Sequence, residues 1–126
     1  MTSKVTYLGD LRTENIHLKS GNSYITDAPT DNQGKGEAFS PTDTVATGLA
    51  NCMLTVMGIK ANQMNVSIKG AVATVTKTMS ADPRRISKIK VEFDFPNTLD
   101  SKTQKILENT AKTCPVHYSL HPDIDK

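Results

Sequence analysis

The chain has 126 residues, which is enough for one domain, over residues 1–126, with a single hydrophobic core. Its 15 basic and 13 acidic residues nearly balance, and no basic stripe with interleaved aromatic residues is present, so the sequence argues against a nucleic-acid-binding protein. A hydrophobic fraction of 37% is modest for a monomer. We therefore expect the chain to share buried surface with a second subunit.

The cysteine usage and the first residues indicate a cellular compartment. Two cysteines occur without a secretory signal, because Met1 leads directly into Lys4 and a short alternating segment. We therefore predict a cytoplasmic protein in a reducing environment, where a disulfide is more often catalytic or regulatory than structural. No charge-free apolar run of about 18 residues remains once Thr, Asn and Gly are discounted, so we expect no membrane span.

Three short strands are predicted at the start of the chain, over residues 4–8, 13–18 and 23–27. These segments are rich in strand-forming residues, and a turn signal at residues 20–22 joins the last two strands into a hairpin. Residues 28–39 contain two glycines and a proline, so we predict a loop there. A loop of this length often serves a functional site or an interface.

A long apolar helix is predicted over residues 40–60. Ser40 is a suitable N-cap, Pro41 suits the first helical position, and Asp43 suits the positive end of the helix dipole. No charged residue follows Asp43 until the end of the segment, and apolar residues cover most of its surface. We therefore predict a helix that is buried nearly all round, with Cys52 at its middle. On this pattern alone, Cys52 is more often a packed core residue than a nucleophile.

The second half of the chain predicts two strands and then a helix, over residues 66–79, 88–95 and 101–113. Gly70 interrupts the first of these strands and predicts a bulge. Pro115 disfavours continuation of the helix, so Cys114 becomes the N-cap of a short final turn over residues 115–120. The order of elements predicts an α+β fold with helices packed on an antiparallel sheet.

The position of Cys114 suggests chemical reactivity. A cysteine at a helix N-terminus meets free amide groups and a positive dipole, which stabilise a thiolate. If the second helix packs against the first, the sulfurs of Cys52 and Cys114 could approach as a peroxidatic and resolving pair. A zinc site formed by these cysteines with His117 and His121 is an alternative, although the Cys-x-x-His pair has no matching second knuckle. A Cys–His acyl-transfer enzyme is also open, but no spacing identifies an oriented pair.

Two cysteine contexts are specific when they are taken together. The first is Ser40-Pro41-Thr42-Asp43 leading to Leu49-Ala50-Asn51-Cys52-Met53, and the second is Thr113-Cys114-Pro115-Val116-His117. Over nearly its whole length the chain resembles the OsmC/Ohr family of thiol peroxidases. The resemblance implies an OsmC-like α+β fold, with an antiparallel sheet packed on a long buried central helix. It also implies an intertwined homodimer that reduces organic hydroperoxides at active sites in the subunit interface.

The resemblance also implies roles for both cysteines. Cys52 takes the place of the peroxidatic cysteine and Cys114 that of the resolving cysteine. The expected chemistry is oxidation of Cys52 to a sulfenic acid, condensation with Cys114 to a disulfide, and reduction by an external dithiol. In this family the reductant is often a lipoylated protein, so lipoyl is expected as a partner group and no bound cofactor is expected.

Burial alone would raise the pKa of Cys52, so this mechanism needs a compensating cation. The family uses an arginine from an early strand, held by a glutamate just after the proline of the helix start. Arg12 is the only arginine before the helix and is our candidate, whereas Thr42 stands at the glutamate position. The neighbouring acids Asp43 and Glu37 are therefore the candidates for orienting Arg12. The family usually adds a terminal strand after the position of Ile124, and we expect that strand to be missing here.

The alternative prediction is a protein of the same fold that does not turn over hydroperoxides efficiently. The protein would then be a redox sensor, or a binder of small apolar ligands in the interface pocket. Met53, Met57 and Phe39 would line such a pocket, although methionines at helical spacing are more often ordinary core residues.

Overall fold

The computed structural model describes residues 1–96 and 98–126 and has a mixed α+β architecture. The chain separates into two compact units, Met1–Val45 and Ala46–Lys126. The α+β class with antiparallel strands, expected from the order of predicted elements, is confirmed. A single domain over residues 1–126 stays a prediction.

The first unit contains a three-stranded antiparallel sheet in the order β1-β2-β3. Its strands are β1 (Ser3–Gly9), β2 (Arg12–His17) and β3 (Ser23–Asp27), which confirms the three predicted strands and the hairpin. The β2–β3 register pairs Ile16 with Ser23 and, at the far end, Arg12 with Asp27. Directly opposed residues on one face of a sheet have side chains within contact distance. The fold of this hairpin therefore sets Arg12 beside Asp27.

The segment between β3 and the first helix doubles back on itself. Ala28 accepts the N–H of Gly36, and the N–H of Asp27 donates to the carbonyl of Phe39 at 3.0 Å. A Cβ on Gly34 would collide with the backbone carbonyl of Ala28, so only glycine allows this close approach. A turn of 3₁₀-helix, Thr30–Asn32, lies inside the predicted loop.

Helix α1 (Pro41–Gln63) begins at the predicted residue, and Ser40 caps it. The N–H of Asp43 donates to the hydroxyl of Ser40 at 3.0 Å, and the N–H of Ser40 donates to the carboxylate of Asp43 at 3.1 Å. These reciprocal bonds form a capping box, in which an aspartate replaces the usual glutamate. The helix ends at Gln63, and Asn65 then adopts a positive φ of 57°.

The prediction that α1 is buried nearly all round is wrong for the single chain. One face is buried, comprising Ala46, Leu49, Ala50, Met53, Met57 and Ala61. The opposite face is exposed at Asn51 and Thr55, and Ile59 has 55% of its surface exposed. Cys52 lies between the two faces and is half-buried. Apolar residues around the whole circumference could not indicate which face meets the core.

The length and composition of α1 also satisfy the usual criterion for a membrane-crossing helix, with a mean hydropathy of 1.2. We expected no membrane span because the Thr, Asn and Gly residues of this helix were not counted as apolar. The core helices of globular proteins meet the same criterion, and the buried face of α1 packs within the protein.

The second unit contains a β-hairpin and two further helices, namely β4 (Val72–Ser80), β5 (Arg85–Asp94), α2 (Ser101–Ala111) and α3 (Pro115–Ser119). The predicted strand over residues 66–79 begins only at Val72, because the preceding residues form a turn in which Gly70 has a φ of +91°. The irregularity in β4 lies between Thr78 and Met79, so the bulge predicted at Gly70 is wrong. The predicted helix at residues 101–113 is confirmed and ends at Ala111.

The core of the second unit joins α1, β5 and α2. Its fully buried members include Leu49, Met57, Ile89 and Leu107, together with the thiol-bearing Cys114. Near the chain end, the carbonyl of Asp125 accepts the N–H of Ile89 at 2.8 Å, which adds one parallel bridge beside β5. Within residues 1–96 and 98–126, this bridge is the only sheet pairing near the position of the expected terminal strand.

Candidate functional site

Arg12, Glu37 and Asp43 belong to the first unit, and the two cysteines belong to the second. The first cluster contains Arg12 and Glu37, with the previously unassigned Asp27 between them. The second contains both cysteines. Asp43 belongs to the capping box at the start of α1, where its carboxylate accepts the Ser40 N–H.

Arg12 forms a bidentate ion pair with Asp27. The guanidinium Nε and Nη2 donate to the two carboxylate oxygens of Asp27, each at 2.9 Å. The backbone N–H of Glu37 donates to one of these oxygens at 3.0 Å. The parallel fork of an arginine fixes both distance and direction, so this pair orients the guanidinium as well as holding it.

Burial and hydrogen bonding act in opposite directions on the pKa of Asp27. The hydrogen bond from Arg12 lowers this pKa most, burial raises it, and the Glu37 N–H lowers it further. The net effect is a pKa below the ordinary value for an aspartate, so the carboxylate is ionised at neutral pH. The same hydrogen bond raises the pKa of Arg12.

Glu37 is a peripheral member of this cluster. Its carboxylate lies 3.9 Å from Arg12 Nη2, and its side chain has 65% of its surface exposed. An exposed ion pair of this length contributes little to orientation. Asp27, which has 1% of its surface exposed, orients Arg12 by a shorter and bidentate contact. Sequence reasoning missed Asp27, although the hairpin register around residues 20–22 already pairs position 12 with position 27.

The second cluster consists of two free thiols in one core. Cys114 is completely buried at the N-cap of α3, whereas Cys52 is half-buried on α1 and packs against the same core. Burial is the largest influence that raises the pKa of Cys114, and the nearby Cys52 raises it further, in agreement with the packing of Cys52 against the core that contains Cys114. The structure therefore brings together the two cysteines that are 62 positions apart (114 − 52).

The expectation of a stabilised Cys114 thiolate is wrong. Burial raises the pKa of Cys114 more than the N–H of His117 lowers it, and proximity to Cys52 raises it further. That N–H lies 3.3 Å from the sulfur, so the cap interaction itself is present. α3 has only five residues, and its few free amides do not offset desolvation of a thiolate. Cys114 is thus a protonated thiol at neutral pH.

The zinc alternative gains no geometric support. Among residues 1–96 and 98–126, no group of three or more His, Cys, Asp and Glu side chains is arranged to hold a metal ion. His121 bonds locally instead, because its Nδ1 accepts the N–H of Asp123 at 3.1 Å. Cys52 and Cys114 are both free thiols in the same core.

Comparison with known proteins identifies the family to which this chain is similar. The family model described as OsmC-like protein matches residues 34–125. A crystal structure from Psychrobacter arcticus 273-4, provisionally named an osmotic stress induced and detoxification response protein, has 64% identity and a TM-score of 0.95. The match covers 99% of this chain and 91% of that one. No curated protein matches the sequence.

More distant structures share the fold at low identity. An organic hydroperoxide resistance protein OsmC from Legionella pneumophila is 18% identical with a TM-score of 0.77, and the match covers 99% of this chain and 93% of that one. The organic hydroperoxide resistance protein OhrB of Bacillus subtilis is 19% identical with a TM-score of 0.66, over 99% and 94% of the two chains. At these identities the likeness shows the fold and not the activity.

Proposed function

The chain belongs to the OsmC-like family, and from this membership we propose that it is a thiol-dependent peroxidase that reduces organic hydroperoxides to alcohols. The observation that carries the proposal is the pair of neighbouring free thiols, of which one is partly exposed and the other is completely buried. A partly exposed sulfur can meet a substrate, and a buried neighbour can resolve the product of the first step.

The reaction then has two steps within the protein. The Cys52 thiolate attacks the terminal oxygen of the hydroperoxide, the O–O bond breaks, and the departing alkoxide takes a proton to become an alcohol. Cys52 is left as a sulfenic acid. The Cys114 sulfur attacks it, a disulfide forms, and the thiol proton leaves with the sulfenic hydroxyl as water. An external dithiol restores both thiols by exchange and becomes oxidised itself.

Exposure and protonation support the two roles that the family resemblance implies. Cys114 is completely buried and its pKa is raised, so it is poorly suited to meet a peroxide first. Cys52 is the more exposed of the two cysteines, which supports it as the residue that meets the peroxide. In the same proposal Arg12 is the cation that stabilises the Cys52 thiolate, and Glu37 and Asp43 remain the candidate acids for orienting it. The bidentate contact with Asp27 supports Asp27 as the residue that positions Arg12.

We also propose a homodimer, which the exposed apolar surface supports. The first unit exposes large side chains at Val5, Tyr7, Leu8, Tyr24 and Ile25. Exposed apolar residues that cluster on one small sheet are typical of a surface that another subunit covers. The reductant would be a small dithiol or a lipoylated protein in the cytoplasm.

A turnover assay tests the proposal. We expect the reduced protein to consume cumene hydroperoxide continuously with dihydrolipoamide as reductant and much more slowly with glutathione. Cys52→Ser should abolish consumption, and Cys114→Ser should slow it strongly, because the Cys52 sulfenic acid must then be reduced by a thiol of the external dithiol. If the hydroperoxide is consumed no faster with the protein than with dihydrolipoamide alone, the proposed peroxidase function is wrong. Oxidation in one turnover without continued consumption would instead support a redox sensor.

A further inference from the structure

A cleft of about 380 Å³ lies in the second unit, and neither cysteine lines it. One wall is apolar and is formed by Ile89, Val91 and Phe93, whose side chains follow one another along the same face of β5. The cleft is also lined by Lys112, His117 and Lys126, and we call this part of the lining the basic end. Small-molecule sites are commonly about 300–1,000 Å³ with an apolar lining and a few polar groups. The cleft has the size and composition for a small ligand.

The ring of His117 can act as a hydrogen-bond donor in this cleft. Its Nδ1 is buried and has no hydrogen-bond partner within the described parts of the chain. A proton on Nδ1 would be a buried unsatisfied donor, so the neutral ring holds its proton on Nε2. Burial lowers the pKa of His117, and the charges of Lys126 and Lys112 lower it further. The ring is therefore neutral at pH 7, with Nε2 as its donor.

The charges around His117 favour an anion. Lys112 and Lys126 are the two charged groups that act on its ring. Two acids also line the cleft, and Glu92 lies 3.5 Å from Lys90, which offsets its charge. Glu108 lies on α2 one helical turn before the C-cap residue Lys112, and its negative charge repels an anionic ligand. The basic end thus combines two ammonium groups with one neutral donor, and the cleft as a whole also carries the two carboxylates of Glu92 and Glu108.

We infer that this cleft binds a small aliphatic monocarboxylate. The hydrocarbon part lies on the apolar wall of β5, and the carboxylate accepts hydrogen bonds at the basic end. A carboxylate accepts from several donors at once, and a charge-assisted hydrogen bond is about twice as strong as a neutral one. The alcohol of the same chain length would keep the apolar contact and lose the ionic one. Neither cysteine lines this site, although His117 also donates its backbone N–H to the sulfur of Cys114. Binding of the carboxylate does not depend on peroxidase activity.

Binding of octanoate to the reduced protein tests the inference, with octan-1-ol as the matched neutral probe. We expect octanoate to bind about tenfold more tightly than octan-1-ol, and to shift the backbone amide signals of Val91, Phe93 and Lys112 in a nuclear magnetic resonance titration. His117 should show the Nε2-protonated tautomer, and its pKa should rise when octanoate binds, because a nearby anion favours the imidazolium.

Single substitutions locate the site. Lys112→Gln should weaken octanoate binding about tenfold, whereas Glu108→Gln should strengthen it, because it removes the opposing charge. Lys105→Gln is the matched control, since it removes an exposed lysine of α2 that does not line the cleft, and it should change little. Equal affinity for octanoate and octan-1-ol, signal shifts outside the cleft, or equal effects of Lys112→Gln and Lys105→Gln would each overturn the inference.

Discussion

Asp27 is a carboxylate with almost no exposed surface, and three donors satisfy its two oxygens. Two of these donors belong to Arg12 and the third is the backbone of Glu37. Because a buried carboxylate that loses its partner is left with an uncompensated charge, the pair is expected to form together with the sheet. Asp27 is therefore as important for the position of Arg12 as Glu37 and Asp43, the two acids expected from the family pattern.

The substitution Asp27→Asn should lower the stability of the protein at pH 7, because the amide keeps the shape and loses the ionic bond to Arg12. The pKa of Asp27 is lower in the folded protein than in the unfolded chain, so its contribution is complete above the unfolded value of about 3.9. That contribution is lost as the pH falls toward the folded value. Urea unfolding at pH 7 and below about pH 4 should therefore show a difference between wild type and variant that shrinks in acid.

Asp94→Asn is the control for this measurement, since Asp94 is an exposed residue at the end of β5. It should leave the urea midpoint nearly unchanged at both pH values. Two results would contradict the role assigned to the pair. In the first, Asp27→Asn unfolds at the wild-type urea midpoint at pH 7. In the second, its urea midpoint stays below that of wild type by the same amount in acid.

The element that is best understood from local chemistry is the start of α1. The reciprocal bonds between Ser40 and Asp43 satisfy a helical N–H that has no intrahelical partner, and Pro41 occupies a position where an N–H is not needed. The helix start is the point where the loop after β3 ends. A frayed first turn would loosen this segment as well as α1.

The substitution Ser40→Ala should lower the free energy of unfolding by about 1 kcal/mol, because it removes the acceptor for the Asp43 N–H. Thr55→Ala is the matched control on the exposed face of the same helix, and it should be nearly neutral, because alanine is the better helix former. Urea denaturation of both variants measures the difference. Equal costs for the two substitutions would show that the cap contributes no specific stability.

Elements that depend on neighbouring residues could be predicted, whereas those that depend on distant residues could not. The start of α1 and the cap at Cys114 follow from a few adjacent residues, and both lie where the sequence indicates. The strand before Ser80 begins late because Gly70 takes a positive φ in a turn, which hydrophobicity does not encode. The pairing of Arg12 with Asp27 and the burial of Cys114 arise from register and packing, so the sequence pattern did not assign them.

At the scale of the whole molecule, the two units differ in how much apolar surface they bury. Every member of the buried hydrophobic cluster, including Leu49, Ile89 and Leu107, belongs to Ala46–Lys126. The sheet of Met1–Val45 leaves its large apolar side chains exposed, including Val5 and Tyr7. This imbalance is the physical basis of the proposed homodimer.

Sedimentation equilibrium should therefore give twice the chain mass of 13.7 kDa. Val5→Glu should shift the equilibrium toward monomer, because a carboxylate at an apolar interface is costly to desolvate. Lys102→Glu changes an exposed charge on α2 and serves as the control that should leave the dimer intact. A monomeric wild-type protein at micromolar concentration would contradict the homodimer.

Mass spectrometry of the reduced protein after one equivalent of tert-butyl hydroperoxide tests the proposed roles of the two cysteines. We expect a loss of two hydrogens and a peptide in which Cys52 is linked to Cys114. In Cys114→Ser we expect a trapped sulfenic acid on Cys52, and in Cys52→Ser we expect no rapid oxidation. Rapid oxidation that persists in Cys52→Ser, or a wild-type protein whose two thiols stay reduced, would contradict the account.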